Sequence, residues 1–370
     1  MKLFIFFLLT CFLSLVPFVR SNKQWLVSFF AILIISILFS FALSERAISS
    51  FTDSEFYLNK ALSMNGVEDV FIVYNTDYIF WFFAWLAIQL GGEVHFFWWM
   101  GGVITFLMIY SIYISCNKFS ITKKFFIIAI LLLLCTPTYY LQTANTIRQG
   151  MVLPLVFLAF FFFAEKKFLF AFPLIFISAF VHGQSTMMAL PALGVLLCLV
   201  NRKVTFISIS LLLFVGFLSQ NLVLMILNIV GFDVYINKLM LYKDSWANEN
   251  NYIKYLISFF IIYSYCFVSK FFKLKYNNEF EKVIFKPYLS LMLIAVMVYP
   301  YGEVAARFLS IVSIFEVVII TYIVSILTVK VKQGDIFIPF TIIGCVLVFL
   351  LIQYHPSIIH NLNNVSIYYE

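Results

Sequence analysis

The sequence has few charged residues. Asp, Glu, Lys and Arg make up 11% of its 370 residues, whereas hydrophobic residues make up 64%. A soluble domain ordinarily has about 25% charged residues, so the composition excludes one. The formal net charge of +7 resides mainly in loops between apolar runs. We interpret these basic loops as facing an anionic membrane leaflet, and we expect no binding of nucleic acid.

Several motifs that carry chemistry in other proteins are missing. The six cysteines occur singly, without a CxxC pair or metal-ligand spacing, which predicts core packing and neither disulfides nor a zinc site. The sequence has no Walker loop, no G-x-G-x-x-G, no H-E-x-x-H and no D-x-D motif. It therefore gives no support for ATP-driven transport or nucleotide-sugar chemistry, and we expect no metal and no cofactor.

Long apolar runs fill most of the chain. Runs of about 15 to 24 residues suit helices that cross a hydrocarbon core roughly 30 Å thick, whereas barrel strands are about 10 residues long and alternate. The sequence predicts an all-α polytopic membrane protein, a single integral membrane domain over residues 1–370 with about twelve transmembrane helices. The predicted spans are 2–19, 25–43, 94–115, 124–140, 146–163, 168–183, 185–200, 204–218, 252–272, 284–300, 305–328 and 336–353.

The charges of the connecting loops predict the topology. Six loops rich in Lys and Arg alternate with loops rich in Asp and Glu, and the basic loops are expected on the cytoplasmic side. The outer side then has two large loops, 44–92 and 219–251. The segment 78–90 is short and rich in tryptophan, and a crossing there would invert every later basic loop. We predict that it forms an interfacial or re-entrant helix on the outer face.

Three cationic or titratable side chains fall at predicted outer ends of spans: Arg148, His182 and Arg307. Arg148 lies in the polar stretch TANTIRQG at 143–150, beside Gln149. A guanidinium held within a helix bundle is costly and commonly binds a carboxylate or a phosphate. The alternative is an arginine that snorkels to the membrane interface.

His182 and Arg307 also have two interpretations each. The imidazole of His182 suits proton transfer near neutral pH, or it is a structural histidine at a hairpin tip. Glu303 stands four residues before Arg307, which is compatible with a plain intrahelical ion pair or with a pair that orients the arginine for a phosphate. Glu316 lies about 180° round the helix from Arg307, and we expect it to meet a polar partner between helices.

The first outer loop supplies acidic side chains among aromatic ones. Asp53 lies in SFTDSEFY and Asp77 in YNTDYIFW. Carboxylates beside tyrosine and tryptophan are typical of sugar sites, where aromatic faces stack on pyranose rings and a carboxylate holds or deprotonates a hydroxyl. Solvated loop acids within an ordinary aromatic belt are the alternative interpretation.

The order of these features resembles a known family. An acidic outer loop with Asp53 and Tyr57 is followed by IRQGMVLPLVFLAFFFF at 147–163, FVHGQSTMMALP at 180–191 and ARFLSIVSIFEVVII at 306–320. This order is similar to the Wzy-type O-antigen polymerases of the EpsG-like branch. The resemblance implies a GT-C-like glycosyltransferase that polymerises undecaprenyl-pyrophosphate-linked repeat units at the outer face of the bacterial inner membrane.

The resemblance also implies roles for particular residues. Arg148, followed by Gln149, matches the family's Arg-Gln-Gly arginine, and Arg307, with Glu303, matches a late arginine. Both arginines are then expected to bind the donor pyrophosphate, since guanidinium groups can neutralise a leaving pyrophosphate without a metal. The implied partners are the lipid-linked oligosaccharide, membrane lipid and a chain-length regulator protein.

Three residues are candidates for the general base of the implied glycosyl transfer. His182 matches a family histidine before a small polar run, and Asp53 lies in the matching acidic loop. Asp77 departs from the family pattern, in which a glutamate precedes proline or glycine and an aromatic stretch. We therefore predict catalytic roles for His182, Asp53 and Asp77 without choosing the base.

Other functions compatible with the sequence remain. An O-antigen ligase and a single-sugar GT-C transferase use the same chemistry. A lipid-linked oligosaccharide flippase belongs to a different class, and such transporters show internal repeats and charges at the membrane midplane. The sequence shows no clear repeat, and its candidate residues lie at helix ends, which favours an enzyme.

Overall fold

A computed structural model describes most of the apolar part of the chain. The described residues are 24–44, 53–73, 77–119, 121, 123–144, 146–218, 225, 240, 247–272, 277–331 and 334–354. They form helices and connecting turns, with no β-strand in these ranges. The all-α prediction is confirmed for this part. The predicted span 2–19 and most of the predicted loop 219–251 lie outside the described residues.

The helices follow the apolar runs closely. They are α1 Gln24–Ser44, α2 Asp53–Leu62, α3 Asp69–Val73, α4 Tyr78–Lys118, α5 Lys123–Leu134, α6 Pro137–Ala144, α7 Ile147–Ala164, α8 Phe168–Val181, α9 Gly183–Val200, α10 Phe206–Leu218, α11 Ala247–Phe271, α12 Asn277–Phe280, α13 Lys286–Met297, α14 Gly302–Lys330 and α15 Phe337–Tyr354. A π-helical turn, Glu281–Phe285, joins α12 to α13, and a 3₁₀ turn, Gly334–Ile336, precedes α15.

Four of the described helical segments are long and apolar enough to cross a membrane. They are His95–Lys118, Ile147–Ala164, Tyr252–Phe271 and Gly302–Lys330. Six shorter apolar helical segments, 26–38, 125–134, 168–181, 189–200, 206–218 and 334–345, coincide with further predicted spans. A count of about twelve spans and a GT-C-like architecture stay predictions.

Two boundaries differ from the sequence prediction. The predicted span 124–140 is two helices, because the helix breaks at Cys135 and Thr136 and α6 begins at Pro137, where a missing N–H costs nothing. The predicted interfacial segment 78–90 and the following span belong to one helix, α4, that kinks at Gly92. Gly92 has φ 64° and ψ −169°, a conformation that is essentially restricted to glycine.

The described chain separates into two compact units. The first consists of the described residues within 1–155, 174–183 and 324–370, and the second of those within 156–173 and 184–323. In the first unit, α1 packs along α4, with Trp98 Nε1 donating to the Ile37 carbonyl at 3.1 Å and Tyr113 Oη donating to Ser28 Oγ at 3.0 Å. The single integral membrane domain stays a prediction.

Aromatic rings fill the core of the second unit. Phe157 of α7 lies 4.5 Å from Phe315 of α14 between ring centroids. Phe280 of α12 stacks on Tyr322 of α14 at 3.7 Å. Burying rings of this size is the largest single hydrophobic contribution a side chain makes, so these contacts hold α14 against its neighbours.

Candidate functional site

Asp77 occupies an unusual backbone position. It caps the N-terminus of α4 with φ 63° and ψ 31°, in the left-handed region, and its carbonyl accepts from the Trp81 amide at 3.1 Å. Asp tolerates this conformation better than most residues. Its carboxylate makes no capping hydrogen bond to α4 and therefore remains available to other segments.

The Asp77 carboxylate contacts the first residues of two other helices, and these contacting residues lie in the first unit. Oδ1 accepts from the Gly183 amide, the first of α9, at 3.0 Å. Oδ2 accepts from Arg148 Nη1 at 2.8 Å and lies 3.4 Å from His182 Nδ1. Amides at a helix N-terminus carry partial positive charge, so α9 and Arg148 both favour an ionised carboxylate here. The side chain is buried, with 5% exposed.

These contacts determine the ionisation of Asp77. Burial by itself raises the pKa of the carboxyl, but the hydrogen bonds from His182 and the Gly183 amide, together with the charges of His182 and Arg148, lower the pKa below its usual value. Asp77 is thus an anion at neutral pH that already accepts three hydrogen bonds. Such a carboxylate is a weak proton acceptor and a strong orienting group.

Arg148 lies in the first turn of α7, where Tyr57 of α2 fixes it from a second direction. Arg148 Nε donates to Tyr57 Oη at 3.1 Å, and its Cζ lies 5.0 Å from the centroid of the Tyr57 ring. Tyr57 is itself buried, at 3% exposed. The guanidinium is therefore held by an ion pair, a hydrogen bond and an aromatic ring.

Gly150 allows α7 to begin so close to the preceding helix. A Cβ at this position would lie 2.5 Å from the Gln142 carbonyl oxygen and 3.1 Å from Ile104 Cδ1. Only a residue without a side chain fits that approach. The Gln142 side chain also accepts from Thr146 Oγ1 at 2.9 Å. Residues before and after Arg148 in the chain therefore both lie against α6.

His182 completes the cluster at the turn between α8 and α9. Its amide donates to the Ser178 carbonyl at 2.9 Å, which continues α8 by one residue, and Gly183 then starts α9. With Nδ1 facing Asp77, the carboxylate favours the tautomer that carries the proton on Nδ1. That arrangement leaves Nε2 as the basic nitrogen of the neutral ring.

The other sequence-predicted residues lie at different places. Asp53 is exposed one helical turn before Tyr57, at the start of α2. Gln149 is buried beside Arg148, at 7% exposed. Arg307 and Glu303 lie half-buried in the first turns of α14, in the second unit. The functional roles of all four stay predictions.

Two members of the cluster were not predicted as site residues. Tyr57 entered the sequence interpretation as an aromatic neighbour of the acidic residues and through the family resemblance, and the Gly183 amide did not enter it. The helix start after His182 was the available signal, since the first amides of a helix bind anions. Tyr57 is 91 residues from Arg148, and no periodicity connects the two.

The predicted polar partner of Glu316 is confirmed in the second unit. Glu316 Oε1 accepts from Ser258 Oγ of α11 and from Tyr288 Oη of α13, the latter at 3.2 Å. Tyr288 also donates to the Ser258 carbonyl at 3.0 Å. Among the described residues, no group of three or more His, Cys, Asp or Glu side chains is placed to hold a metal ion.

Comparison with known proteins identifies the family of the chain. The EpsG family model matches residues 49–365, which include both the Asp77 cluster and α14. The chain belongs to the EpsG family. Members of the EpsG family are membrane proteins related to Wzy-like polysaccharide polymerases, so this EpsG protein is a polysaccharide polymerase-like membrane protein. Comparisons with curated proteins and with solved structures gave no match.

Proposed function

We propose that this EpsG protein is a multi-pass glycosyltransferase of the bacterial inner membrane that polymerises a surface polysaccharide such as O-antigen. Its donor is a glycan carried on undecaprenyl pyrophosphate, and its acceptor is a second lipid-linked repeat unit at the periplasmic face. The family membership and the apolar helices support this proposal. The cluster of Asp77, Arg148 and His182 is the proposed site of transfer.

The hydrogen bonds and the exposure of Arg148 are the main support for the proposal. Asp77 and Tyr57 hold Nη1 and Nε, whereas Nη2 has no hydrogen-bond partner in the described part of the chain. The side chain is 24% exposed. A guanidinium fixed on two sides and open on the third can donate to a phosphate oxygen without first losing its own side-chain entropy.

The chemistry follows from this arrangement. The acceptor hydroxyl oxygen attacks the anomeric carbon of the donor sugar, and the bond from that carbon to the pyrophosphate oxygen breaks. The hydroxyl proton passes to His182 Nε2, while Arg148 stabilises the charge that develops on the leaving pyrophosphate. Asp77 positions Arg148 and His182, because its oxygens are already occupied by three donors.

The remaining predicted residues have supporting roles in this proposal. Arg307, four residues after Glu303, is a second cation for the pyrophosphate, and Gln149 is the buried chain neighbour of Arg148. Asp53, exposed at the start of α2, contacts the sugars. A chain-length regulator is a further expected partner. These roles depend on sequence position and on family resemblance, and the variants below test them separately.

A gel of surface polysaccharide from a deletion strain tests the proposal. The strain is complemented with Arg148→Ala, His182→Ala, Arg307→Ala or Asp53→Ala, and Lys330→Ala serves as the control for an exposed cation at the end of α14. We expect Arg148→Ala to abolish the long-chain ladder and leave a single repeat unit attached, with Arg148→Lys intermediate because lysine cannot reach both Tyr57 and Asp77 as a fork.

The other outcomes assign other functions. Absence of even one attached repeat indicates a flippase or a ligase, because both act before or during attachment of the first unit. An unchanged ladder for both Arg148→Ala and His182→Ala, with equal protein abundance in the membrane, refutes the site. Loss of the ladder in Lys330→Ala as well indicates a general defect in folding.

A further inference from the structure

The second unit contains a cavity that the proposed reaction does not use. Its volume is about 630 Å³, within the range of sites for small organic molecules. The segment 204–207 before and at the start of α10 forms one wall, the end of α11 from Tyr265 to Lys270 forms another, and Glu281 and Phe285 of the π-helical turn form the third.

The walls of this cavity include large apolar side chains that are exposed at the surface of the second unit. Phe206, Ile207 and Phe267 line it and are 55%, 71% and 67% exposed. Side chains of this size would be unfavourable in water, but this is a membrane protein, so acyl chains can cover them. The cavity therefore opens toward the hydrocarbon region, where a lipid tail can enter it.

Basic residues line the cavity or adjoin its lining residues in the chain, and we call them its rim. Lys270 lines it, Arg202 and Lys203 immediately precede Val204, and Lys282 follows Glu281. None of these four cations forms an ion pair with another described residue. The sequence places all four on the predicted cytoplasmic side, where anionic headgroups concentrate.

The one acidic residue of the lining is already paired. Glu281 Oε1 lies 3.4 Å from Lys286 Nζ, and Lys286 Nζ also donates to the carbonyls of Val200 at 3.2 Å and Arg202 at 2.8 Å. Lys286 is buried, and its charge is balanced by Glu281 and by the carbonyls at the C-terminal end of α9. The exposed cations of the rim are thus left to attract an anion from outside.

A π-helical turn shapes this cavity. Glu281–Phe285 replaces α-helical bonding, and Phe285 stacks on Tyr265 with ring centroids 4.2 Å apart. π-Bulges are rare and occur frequently at functional sites. Here the bulge places an aromatic wall and the Glu281–Lys286 pair around the same opening.

We propose that this cavity binds an anionic phospholipid from the surrounding leaflet, with one acyl chain against Phe206, Ile207 and Phe267 and the phosphate among Lys270, Arg202 and Lys203. The apolar walls and the positive rim suit the two halves of such a lipid. A zwitterionic lipid offers no net charge to the rim. The inference is independent of the proposed glycosyl transfer, since it depends only on the second unit and on the membrane environment.

Cys266 provides a direct readout of occupancy. It lines the cavity and is partly exposed, whereas Cys198 is exposed and does not line it. The full-length protein is purified in detergent, titrated with phosphatidylglycerol, and labelled with N-ethylmaleimide, and the labelling of each cysteine is followed by peptide mass spectrometry. We expect phosphatidylglycerol to slow labelling of Cys266 at least threefold and to leave the rate at Cys198 unchanged.

Two variants separate charge from volume. Lys270→Gln should raise the phosphatidylglycerol concentration needed for half-protection about fivefold, which is what one basic residue near an anionic surface contributes. Val204→Trp fills the cavity and should make the Cys266 rate independent of lipid. Lys330→Gln, an exposed lysine that does not line the cavity, should behave as wild type.

Each remaining outcome overturns the proposal. Equal protection by phosphatidylcholine shows ordinary annular lipid without headgroup recognition. Stronger protection by a polyprenyl phosphate shows that the site belongs to the carrier lipid. Unchanged Cys266 labelling with every lipid, in protein that elutes as a single peak in size-exclusion chromatography, shows that the cavity is empty in solution.

Discussion

Asp77 and Glu316 are both carboxyl groups that accept hydrogen bonds from two neighbouring helices, but their partners carry different charge. Asp77 accepts from a guanidinium, an imidazole and a helix N-terminal amide. Glu316 accepts from the neutral hydroxyls of Ser258 and Tyr288. The first group is held as an anion, whereas the second is satisfied without an opposite formal charge in direct contact.

The different charge of their partners indicates that the Asp77 and Glu316 clusters have different roles. A charged cluster with one open guanidinium edge is costly unless a ligand uses it, so the Asp77 cluster is arranged for binding and reaction. Hydroxyl partners satisfy a carboxyl between membrane helices and fix how those helices pack. We therefore interpret the Glu316 cluster as structural, and four measurements test that contrast.

The largest effect is expected for Asp77→Asn. The amide leaves Arg148 without a counter-charge and presents an N–H₂ group to other donors, which should cost about 3 kcal/mol. The midpoint of thermal unfolding of the detergent-solubilised protein should fall by several degrees. Glu68→Gln, which changes an exposed carboxylate, is the control and should not move the midpoint. Equal midpoints for Asp77→Asn and wild type would contradict the ion pair.

Gly150→Ala tests whether backbone packing positions the Arg148 side of the cluster. The added methyl group meets the Gln142 carbonyl at 2.5 Å, so the start of α7 must shift, at a cost of about 2 kcal/mol. Gly194→Ala is the matched control, because open space surrounds Gly194 within its helix and alanine favours helix there. We expect shortened polysaccharide and a lower unfolding midpoint for the first variant only.

The pH dependence of stability tests the charge of Asp77. Its pKa is lower in the folded protein than the ordinary value of 3.8, so the unfolded chain binds the proton first. The stability contribution is therefore complete above about pH 5 and is lost as pH falls through the folded pKa. Unfolding midpoints between pH 3 and 7 should drop less steeply below about pH 4 in Asp77→Asn than in wild type. Parallel profiles would show that Asp77 is not preferentially ionised.

The smallest effect is expected for Glu316→Gln. The amide carbonyl still accepts from Ser258 and Tyr288, so the free energy of unfolding should change by less than about 1 kcal/mol. Glu316→Leu leaves the Ser258 hydroxyl without this acceptor and leaves Tyr288 with the Ser258 carbonyl alone, which should cost about 2 kcal/mol. Were Glu316→Gln as damaging as Asp77→Asn, the contrast between the two clusters would fail.

The sequence predicted the helices much better than the contacts of the site. Length and hydropathy locate a helix, because an apolar run in lipid must satisfy its backbone hydrogen bonds within itself. The break at Cys135 and Thr136 was not predicted, although Pro137 follows it directly and the stretch after it is more polar than the run before it. Glu316 was predicted to meet a polar partner because a charged group within a span requires one.

The pairing of Asp77 with Arg148 had no comparable signal. The two residues are 71 positions apart, and taken singly each has an ordinary interpretation, as a loop acid and as an interfacial arginine. Their meeting depends on how α4 and α7 pack, which neither periodicity nor charge counting encodes. The sequence identified Asp77 and Arg148 as candidate site residues, but it could not predict that they contact each other.

The left-handed backbone at Asp77 restricts what can replace it. Of the twenty amino acids, Gly, Asn and Asp occupy φ 63° most readily, and glutamate does so with strain. Holding Arg148 requires a carboxylate, which only aspartate and glutamate provide. The two requirements overlap in a single residue, so a saturation library at this position, selected for long polysaccharide, should return aspartate almost alone.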